Sequence, residues 1–317
     1  MCLLCVAAVA AAETAVSAPL PGAQAAARGG AGHHIVAGFV SPVMFTVAGL
    51  KIYNYGVFIA SALASGLMSF SRELERARIN LDEIKCFFVF LFGFAVGSKA
   101  HVALSAVANG QALTWDAIDL RTGHSFMGSI IGATGCLLLY VWTQSVKILA
   151  FLDVLLPCCL LGHFLGKIGC FLSGDGCYGP QADPAKVPWA MSFPNALVPT
   201  HVPVHPTPLY EGACSLFVCF ITRHVFPLPS EKDDNPVFPR PGRRTAFLLV
   251  LYGFERMFIE NFRRHPPVNI FLGLTEYQAL ALVLLFIGLT IELFGRAKER
   301  RIDDATASTK KEKPKKA

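Results

Sequence analysis

Long apolar runs alternate with short polar connections along most of this 317-residue chain. A helix that crosses a bilayer needs about 20 apolar residues, and seven runs approach that length. They are residues 55–70, 84–106, 125–142, 149–170, 209–226, 245–262 and 279–294. Several runs are slightly short, so we expect flanking residues to complete them. The pattern predicts an all-α membrane protein with about seven transmembrane helices.

Basic residues in the connections predict how these helices are oriented. Residues 71–85 contain four Lys or Arg residues, and residues 223–244 contain five. Such residues are enriched on the cytoplasmic side of membrane proteins. We therefore expect the N-terminus outside and the C-terminus inside. Residues 172–208 then form a small extracytoplasmic loop domain.

Both ends of the chain differ from the membrane-embedded domain, which we place at residues 43–295. Residues 1–42 form an Ala-rich leader that we expect to be poorly ordered. Its apolar stretch has no preceding basic residue, unlike the start of a signal peptide. Residues 296–317 form a basic tail predicted to be cytoplasmic, and this tail accounts for much of the net charge of +6. No nucleic-acid recognition module accompanies that charge, so we expect no nucleic-acid partner.

Composition supports membrane embedding and excludes a disulfide scaffold. Only 16% of the residues are charged, whereas a soluble domain carries about a quarter. Most of the ten cysteines lie in apolar segments, where a thiol behaves as a small hydrophobic group. Cys170 and Cys177 flank a Gly-rich turn, and either a disulfide or two free thiols is expected there. A zinc site would need two further convincing ligands, so we predict neither a metal nor a cofactor.

The sixth apolar run carries a charged face. Tyr252, Arg256, Glu260 and Arg263 follow at spacings of four, four and three, which places them on one side of a helix. A charge at mid-bilayer costs about 2.5–3.5 kcal/mol on insertion scales. One interpretation is a structural ion pair with Arg263 reaching the membrane interface. The other is a face that binds an anion, because a guanidinium group pairs with phosphate through two parallel hydrogen bonds.

Two further segments contain polar residues inside apolar runs. His163, Lys167 and Cys170 share one face at the end of the fourth run. His163 is as well explained by a structural hydrogen bond as by catalysis. Tyr210 and Glu211 stand at the start of the fifth run, where a glutamate is favourable through the helix dipole.

Five motifs occur in an order that resembles the prolipoprotein diacylglyceryl transferases. They are residues 55–56, 123–128, 166–171, 206–211 and 251–263, and the resemblance extends over roughly residues 43–294. The family's seven spans and its orientation agree with the prediction made from the apolar runs and the basic connections.

The resemblance implies a multi-pass transferase of the bacterial plasma (inner) membrane. Such an enzyme takes the diacylglyceryl group of phosphatidylglycerol and places it on the thiol of a lipobox cysteine in a prolipoprotein signal peptide. The products are a thioether and glycerol phosphate. The implied partners are therefore phosphatidylglycerol, the signal peptide and the lipid bilayer.

The resemblance also assigns residues. The candidate catalytic residues are Arg256, His163 and Lys167. The candidate lipid-binding residues are Lys167, Tyr55, Gly179, Tyr252, Glu260, Arg263 and Tyr210. Among the candidate catalytic residues, Arg256 matches an essential arginine of the family, and Lys167 matches its first phospholipid-binding arginine.

Three positions depart from the family's pattern. Lys167 keeps the positive charge but loses the bidentate geometry of arginine. Cys170 replaces an asparagine, and Met127 replaces a histidine often assigned as the base for the substrate thiol. His163 and His124 are the nearest substitutes for that base. These departures leave two alternatives open: the same donor with another acceptor, or a non-enzymatic lipid-binding protein or transporter.

Overall fold

The computed structural model describes residues 34–108, 126–229, 239–263 and 273–312. This part of the chain is mostly helical and contains seven α-helices, each of which coincides with one predicted span. They are α1 (Asn54–Arg76), α2 (Glu83–Ala108), α3 (Phe126–Thr143), α4 (Ile148–Ser173), α5 (Thr207–Val225), α6 (Arg243–Ile259) and α7 (Glu276–Glu312). Helix α7 thus continues well into the predicted basic tail.

Three of the described helices are long and apolar enough to cross a membrane. They are Glu83–Val107 in α2, Ile148–Ser173 in α4 and Tyr277–Ile302 in α7. The chain is therefore a helical membrane protein, as predicted. Helix α6, in contrast, has only 17 residues, and the last turns of α1 are charged, so crossing by these helices stays a prediction.

Apolar side chains on the outer faces of the helices fit a lipid environment. Phe92, Phe217, Phe286 and Phe294 are each more than 60% exposed. Soluble proteins rarely expose contiguous apolar surface of this kind unless it binds something. Helices α2 and α3 pack closely through glycines, since a Cβ atom on Gly97 would meet the Gly128 carbonyl oxygen at 2.3 Å. Such small-residue contacts are typical of membrane helix pairs.

The strands lie at one end of the helical bundle, which we call the loop end. An antiparallel hairpin, β2 (Val43–Val47) with β3 (Leu50–Tyr53), leads directly into α1. The hairpin thus lies immediately before the first predicted span.

A second sheet contains β1 (Ile35–Val36), β4 (Met191–Phe193) and β5 (Thr200–Val204), in that order. Ala37 and Val40 are fully buried against this sheet. Residues 34–42 therefore have a defined structure, and the prediction of a leader reaching residue 42 without order is wrong for them. The physical reason is that β1 supplies the parallel edge of the loop-end sheet.

The opposite end of the bundle, which we call the far end, contains a buried ionic cluster. Arg244 donates to Glu73 Oε2 at 2.7 Å and to the Asp153 carbonyl oxygen at 3.2 Å. The Asp153 carboxylate accepts hydrogen bonds from the Gly242 and Thr245 backbone amides, both at 2.7 Å. The first amides of a helix have no hydrogen-bond partner within the helix. Asp153, which lies on α4, therefore accepts the hydrogen bonds of amides at the start of α6.

Candidate active site

A single buried carboxylate, Glu211 in the first turns of α5, joins three cationic side chains at the loop end. Lys167 Nζ from α4 lies 2.7 Å from Glu211 Oε2. Arg256 Nη1 from α6 lies 3.3 Å from the same oxygen, and Arg263 Nη2 pairs with Oε1. Lys167 and Glu211 are fully buried, and Arg256 is 4% exposed. A carboxylate in this position lowers the cost of burying the cations.

A second carboxylate, Glu260, fixes Arg256 from the other side. Glu260 Oε2 lies 3.5 Å from Arg256 Nη2, and Glu260 Oε1 accepts a hydrogen bond from Thr275 Oγ1 at 2.9 Å. The guanidinium group also lies over the Tyr277 ring, 4.8 Å from its centroid. Three contacts with different directions therefore fix the plane of this guanidinium group.

Arg263 belongs to the same cluster although it lies beyond the helix. Helix α6 ends at Ile259, a 3-10 turn covers Glu260–Phe262, and Arg263 itself is extended. The prediction of one continuous helical face through Arg263 is therefore wrong. Arg263 Nη1 donates to the Cys177 carbonyl oxygen at 3.1 Å, and its side chain is only 4% exposed. The alternative in which Arg263 reaches the membrane interface does not fit this burial.

His163 lies one turn before Lys167 on α4 and is also buried. Its Nδ1 atom is 2.7 Å from Ser215 Oγ on α5. Its Nε2 atom has no hydrogen-bond partner in the part of the chain that the structure describes. When Nδ1 donates to the serine, Nε2 is left as the acceptor, which is the form a proton acceptor needs. His163 is therefore a candidate base whose ring is held by a hydrogen bond with Ser215.

An apolar groove of about 410 Å³ begins beside this cluster. Helices α1 to α4 line it, mainly with Leu and Phe side chains. Tyr55, His163 and Gly166 are among the lining residues near the loop end, and the groove extends to Cys86 towards the far end. His163 lies one turn before Lys167 and so connects the groove to the charged cluster. Apolar walls close to such a cluster suit an amphipathic ligand better than a wholly polar one.

Comparison with known proteins places this arrangement in a family. The model of the prolipoprotein diacylglyceryl transferases matches residues 42–294 of the chain. The chain belongs to this family. The sequence resemblance is thereby confirmed.

Several relatives carry the name phosphatidylglycerol–prolipoprotein diacylglyceryl transferase. The protein from Clostridium tetani is 28% identical over 254 residues, which cover 80% of this chain and 96% of the relative. The one from Nitrobacter winogradskyi is 33% identical over 189 residues, covering 59% and 61%. A Synechocystis relative is 28% identical over 252 residues, covering 77% and 86%.

The other candidate residues of this diacylglyceryl transferase family member lie around the cluster rather than in it. Tyr55 lines the groove. Tyr252 is 3% exposed and packs in the apolar core between α4, α5, α6 and α7, one turn before Arg256. The Tyr210 hydroxyl accepts a hydrogen bond from Trp189 Nε1 at 2.5 Å and so joins α5 to the loop.

Gly179 has a packing role in this structure. A Cβ atom there would lie 2.5 Å from the Phe262 carbonyl oxygen and 2.8 Å from the His205 Cβ atom. Any larger residue would push the loop away from the turn that precedes Arg263. Gly179 therefore affects the cluster through the position of Arg263, and no side chain is needed for this effect.

The two loop-end cysteines are separate thiols. Cys170 and Cys177 are both free and buried. A hydrogen bond from the Cys170 thiol lowers the pKa of the Cys177 thiol, and the nearby Lys167 and Arg263 act in the same direction. Burial raises the pKa of the adjacent Tyr178, whose ring stacks on Phe193.

Two residues of the site were missed as site residues by sequence reasoning. Glu211 was interpreted through the helix dipole, yet its carboxylate contacts three cations from other segments. Ser215 lies one turn after Glu211 and contacts His163. The available signal was their spacing of four, which places both on the same face of α5. His124 and the side chain of Met127 lie outside the residues that the structure describes.

Proposed function

We propose that this protein transfers the diacylglyceryl group of phosphatidylglycerol to the lipobox cysteine of a prolipoprotein. Membership of the family supports the reaction class. The observation in the structure that carries the proposal is the convergence of Lys167, Arg256 and Arg263 on Glu211. This convergence lies one turn from His163, which lines the apolar groove. This combination suits a lipid with an anionic phosphate and long acyl chains.

The proposal includes a location and an orientation. All seven helices cross the bacterial plasma (inner) membrane, with the N-terminus outside and residues 172–208 as an extracytoplasmic loop domain. The basic connections and the basic tail support this orientation, because Lys and Arg are enriched on the cytoplasmic side. The loop end then faces the compartment in which a secreted precursor presents its signal peptide.

The donor occupies the groove and the cluster together. Its acyl chains lie among the apolar side chains of α1 to α4, and its phosphate binds Lys167, Arg256 and Arg263. Arg263 Nε is buried and has no hydrogen-bond partner among the described residues, so it retains a donor for an anion. Glu211 and Glu260 hold the cations in position before the phosphate arrives.

The chemical step is a displacement at the glyceryl carbon that carries the phosphate. The acceptor thiolate forms the new C–S bond while the C–O bond to phosphate breaks. The electron pair of that bond leaves with the phosphate oxygen, and glycerol phosphate is released. Lys167 and Arg256 stabilise the charge that grows on this oxygen, which is the kind of effect that contributes most in many enzymes.

The proton of the acceptor thiol goes to His163 Nε2. The thiolate is the nucleophilic form of cysteine, so its formation is part of the reaction. Ser215 positions the imidazole ring through the 2.7 Å contact with Nδ1. In this proposal His163 replaces the family histidine whose position holds Met127.

Mass spectrometry of the acceptor tests the function. The full-length protein in detergent or vesicles is incubated with phosphatidylglycerol and a lipobox peptide. The expected product is the peptide with one added diacylglyceryl mass on its cysteine, and a Cys→Ser peptide is the control. Donor consumption without peptide modification would favour another acceptor, as the Cys170 and Met127 departures allow. No consumption of donor by folded protein would favour a non-enzymatic lipid-binding protein or transporter.

A further inference from the structure

A compact group of potential ligands lies beside the cluster, and the proposed reaction does not use it. The Cys170 and Cys177 sulfurs and a carboxylate oxygen of Asp175 lie within 4.8 Å of one another. Cys170 is fully buried and Cys177 is 3% exposed. Asp175 is the ligand that could not be recognised from the spacing of the two cysteines alone.

The backbone of this turn holds the three side chains together. Helix α4 ends at Ser173, and Gly174 follows in the left-handed conformation with φ of 64°. Gly176 has φ of 89°, a second position that favours glycine. The chain therefore reverses within a few residues and returns Cys177 to the last turn of α4. Asp175 Oδ1 accepts the Cys177 backbone amide at 3.0 Å, which orients its carboxylate.

These ligand types and separations fit a four-coordinate zinc ion. Zinc binds thiolate sulfur at about 2.3 Å and carboxylate oxygen at about 2.0–2.2 Å, so its ligands lie a few ångströms apart. Soft thiolates select zinc over magnesium or calcium. The two sulfurs belong to free cysteines, not to a disulfide. They are thus both available as ligands.

We propose that Cys170, Asp175 and Cys177 bind one zinc ion, with a water molecule or another small ligand in the fourth position. A zinc ion with two thiolates and one carboxylate carries a net charge of −1. Lys167 lies one turn before Cys170 on α4, and Arg263 Nη1 donates to the Cys177 carbonyl oxygen at 3.1 Å. A site of net negative charge is favourable beside these two cations. The inference concerns metal binding and does not depend on the transfer reaction.

The zinc ion would fix the turn that positions part of the cluster. The Cys177 carbonyl oxygen accepts hydrogen bonds from Arg263 Nη1 at 3.1 Å and from Thr207 Oγ1 at 2.5 Å. Coordination of the Cys177 sulfur ties this carbonyl group to the end of α4. The ion therefore links α4, the start of α5 and Arg263 through one residue.

Metal analysis of the full-length protein, purified without chelators, tests the proposal. About one zinc per chain is expected in the wild-type protein, and background levels in Cys170→Ser and Cys177→Ser. Cys86→Ser is the matched control, because Cys86 is a buried free cysteine on α2. It should keep the full zinc content. Asp175→Asn keeps both thiols and should raise the zinc Kd at least about tenfold, since losing even an indirect partner of a metal site costs that much.

Cobalt substitution in the wild-type protein tests the metal site even if the cysteine variants fail to fold. The wild-type protein loaded with Co²⁺ should show a thiolate-to-cobalt charge-transfer band, which needs no mutation. Absence of this band and of zinc would overturn the proposal. So would a Cys170–Cys177 disulfide detected by mass spectrometry after alkylation without reduction. Equal zinc loss in the Cys86→Ser control would also contradict it, because the metal would then be bound elsewhere.

Discussion

Two buried ionic clusters lie at opposite ends of the helical bundle and are built differently. At the far end, Asp153 accepts two backbone amides from the start of α6, and Arg244 bonds to Glu73 and to a backbone carbonyl. At the loop end, Glu211 contacts only side chains, all of them cationic. The far-end carboxylate of Asp153 joins helices through backbone amides, whereas the loop-end carboxylate of Glu211 joins them through side-chain ion pairs.

The comparison shows that burial of charge is a poor indicator of function by itself. Both clusters are buried, and a guanidinium nitrogen without a hydrogen-bond partner occurs at both ends, in Arg244 and in Arg263. What differs is the surroundings. The loop-end cluster lies one turn from His163, and His163 lines the apolar groove. A site that binds an anion needs cations whose partners can be exchanged, and side-chain carboxylates meet this need better than backbone groups.

Removing the proposed base should lower transfer more than removing Lys167 does. His163→Gln keeps a polar side chain but cannot take the proton, and general base catalysis contributes about 10²–10⁴-fold. We expect kcat to fall by that order while KM changes little. Steady-state kinetics with phosphatidylglycerol and a lipobox peptide measures both.

Ser215→Ala is the companion variant for His163. It should lower kcat less than His163→Gln does, since Ser215 only positions the ring. An unchanged rate in His163→Gln would remove His163 from the mechanism. Only the cations would then be left to explain why the loop-end cluster acts in transfer and the far-end cluster does not.

Removing one cation should have the next largest effect. Lys167→Met deletes the charge while keeping a long apolar side chain, and loss of one group that stabilises a developing negative charge costs about 10²–10³-fold. Lys167→Arg is the control, because it keeps the charge and adds bidentate geometry. Transfer by Lys167→Arg should remain near the wild-type rate. Equal losses in both variants would point to packing rather than charge.

Removing the central carboxylate at each end should separate stability from activity. Glu211→Gln and Glu73→Gln each leave buried cations without their counter-ion, and such losses cost about 3–5 kcal/mol. Both variants should therefore lower the unfolding temperature of the detergent-solubilised protein. Only Glu211→Gln should also reduce transfer per folded molecule. A similar reduction of transfer per folded molecule in Glu73→Gln would contradict the assignment of activity to the loop-end cluster alone.

Removing one hydrogen bond at the far end should have the smallest effect. Thr245→Val deletes the bond from Thr245 Oγ1 to Asp153 Oδ1, which is 2.6 Å long. A hydrogen bond to a charged group contributes about 1.5–3 kcal/mol, so thermal stability should fall modestly. The rate of transfer by the remaining folded protein should be unchanged. A clear fall in that rate would show that the far end affects the chemistry.

Much of the helical architecture could be predicted from the sequence, because apolar runs of this length are typical of helices that lie in a bilayer. Each predicted span coincides with a helix, and the segment before the first span is a strand hairpin. The extent of the leader could not be predicted. Residues 35 and 36 pair in parallel with Met191 and Ser192, and no local pattern reveals a partner more than 150 residues away.

The site was predictable where its residues share one helix and unpredictable where they do not. His163 and Lys167 lie on one face of α4, so their spacing was informative. Glu211 reaches cations from α4, from α6 and from the segment after it, and this convergence depends on tertiary packing. The break in α6 at Ile259 was also missed, because the spacing of Arg256, Glu260 and Arg263 is compatible with an unbroken helix.

The central claim is that the loop-end cluster acts in transfer and the far-end cluster in structure. The most direct test compares Arg256→Ala with Arg244→Ala, two buried arginines that each pair with a glutamate. Transfer of the diacylglyceryl group to the lipobox peptide is measured by mass spectrometry and divided by the amount of folded protein. We predict that Arg256→Ala abolishes transfer while the protein remains in the membrane, and that Arg244→Ala lowers the amount of folded protein but keeps its specific activity. Near-normal transfer by Arg256→Ala, or an equal loss in both variants, would contradict the account.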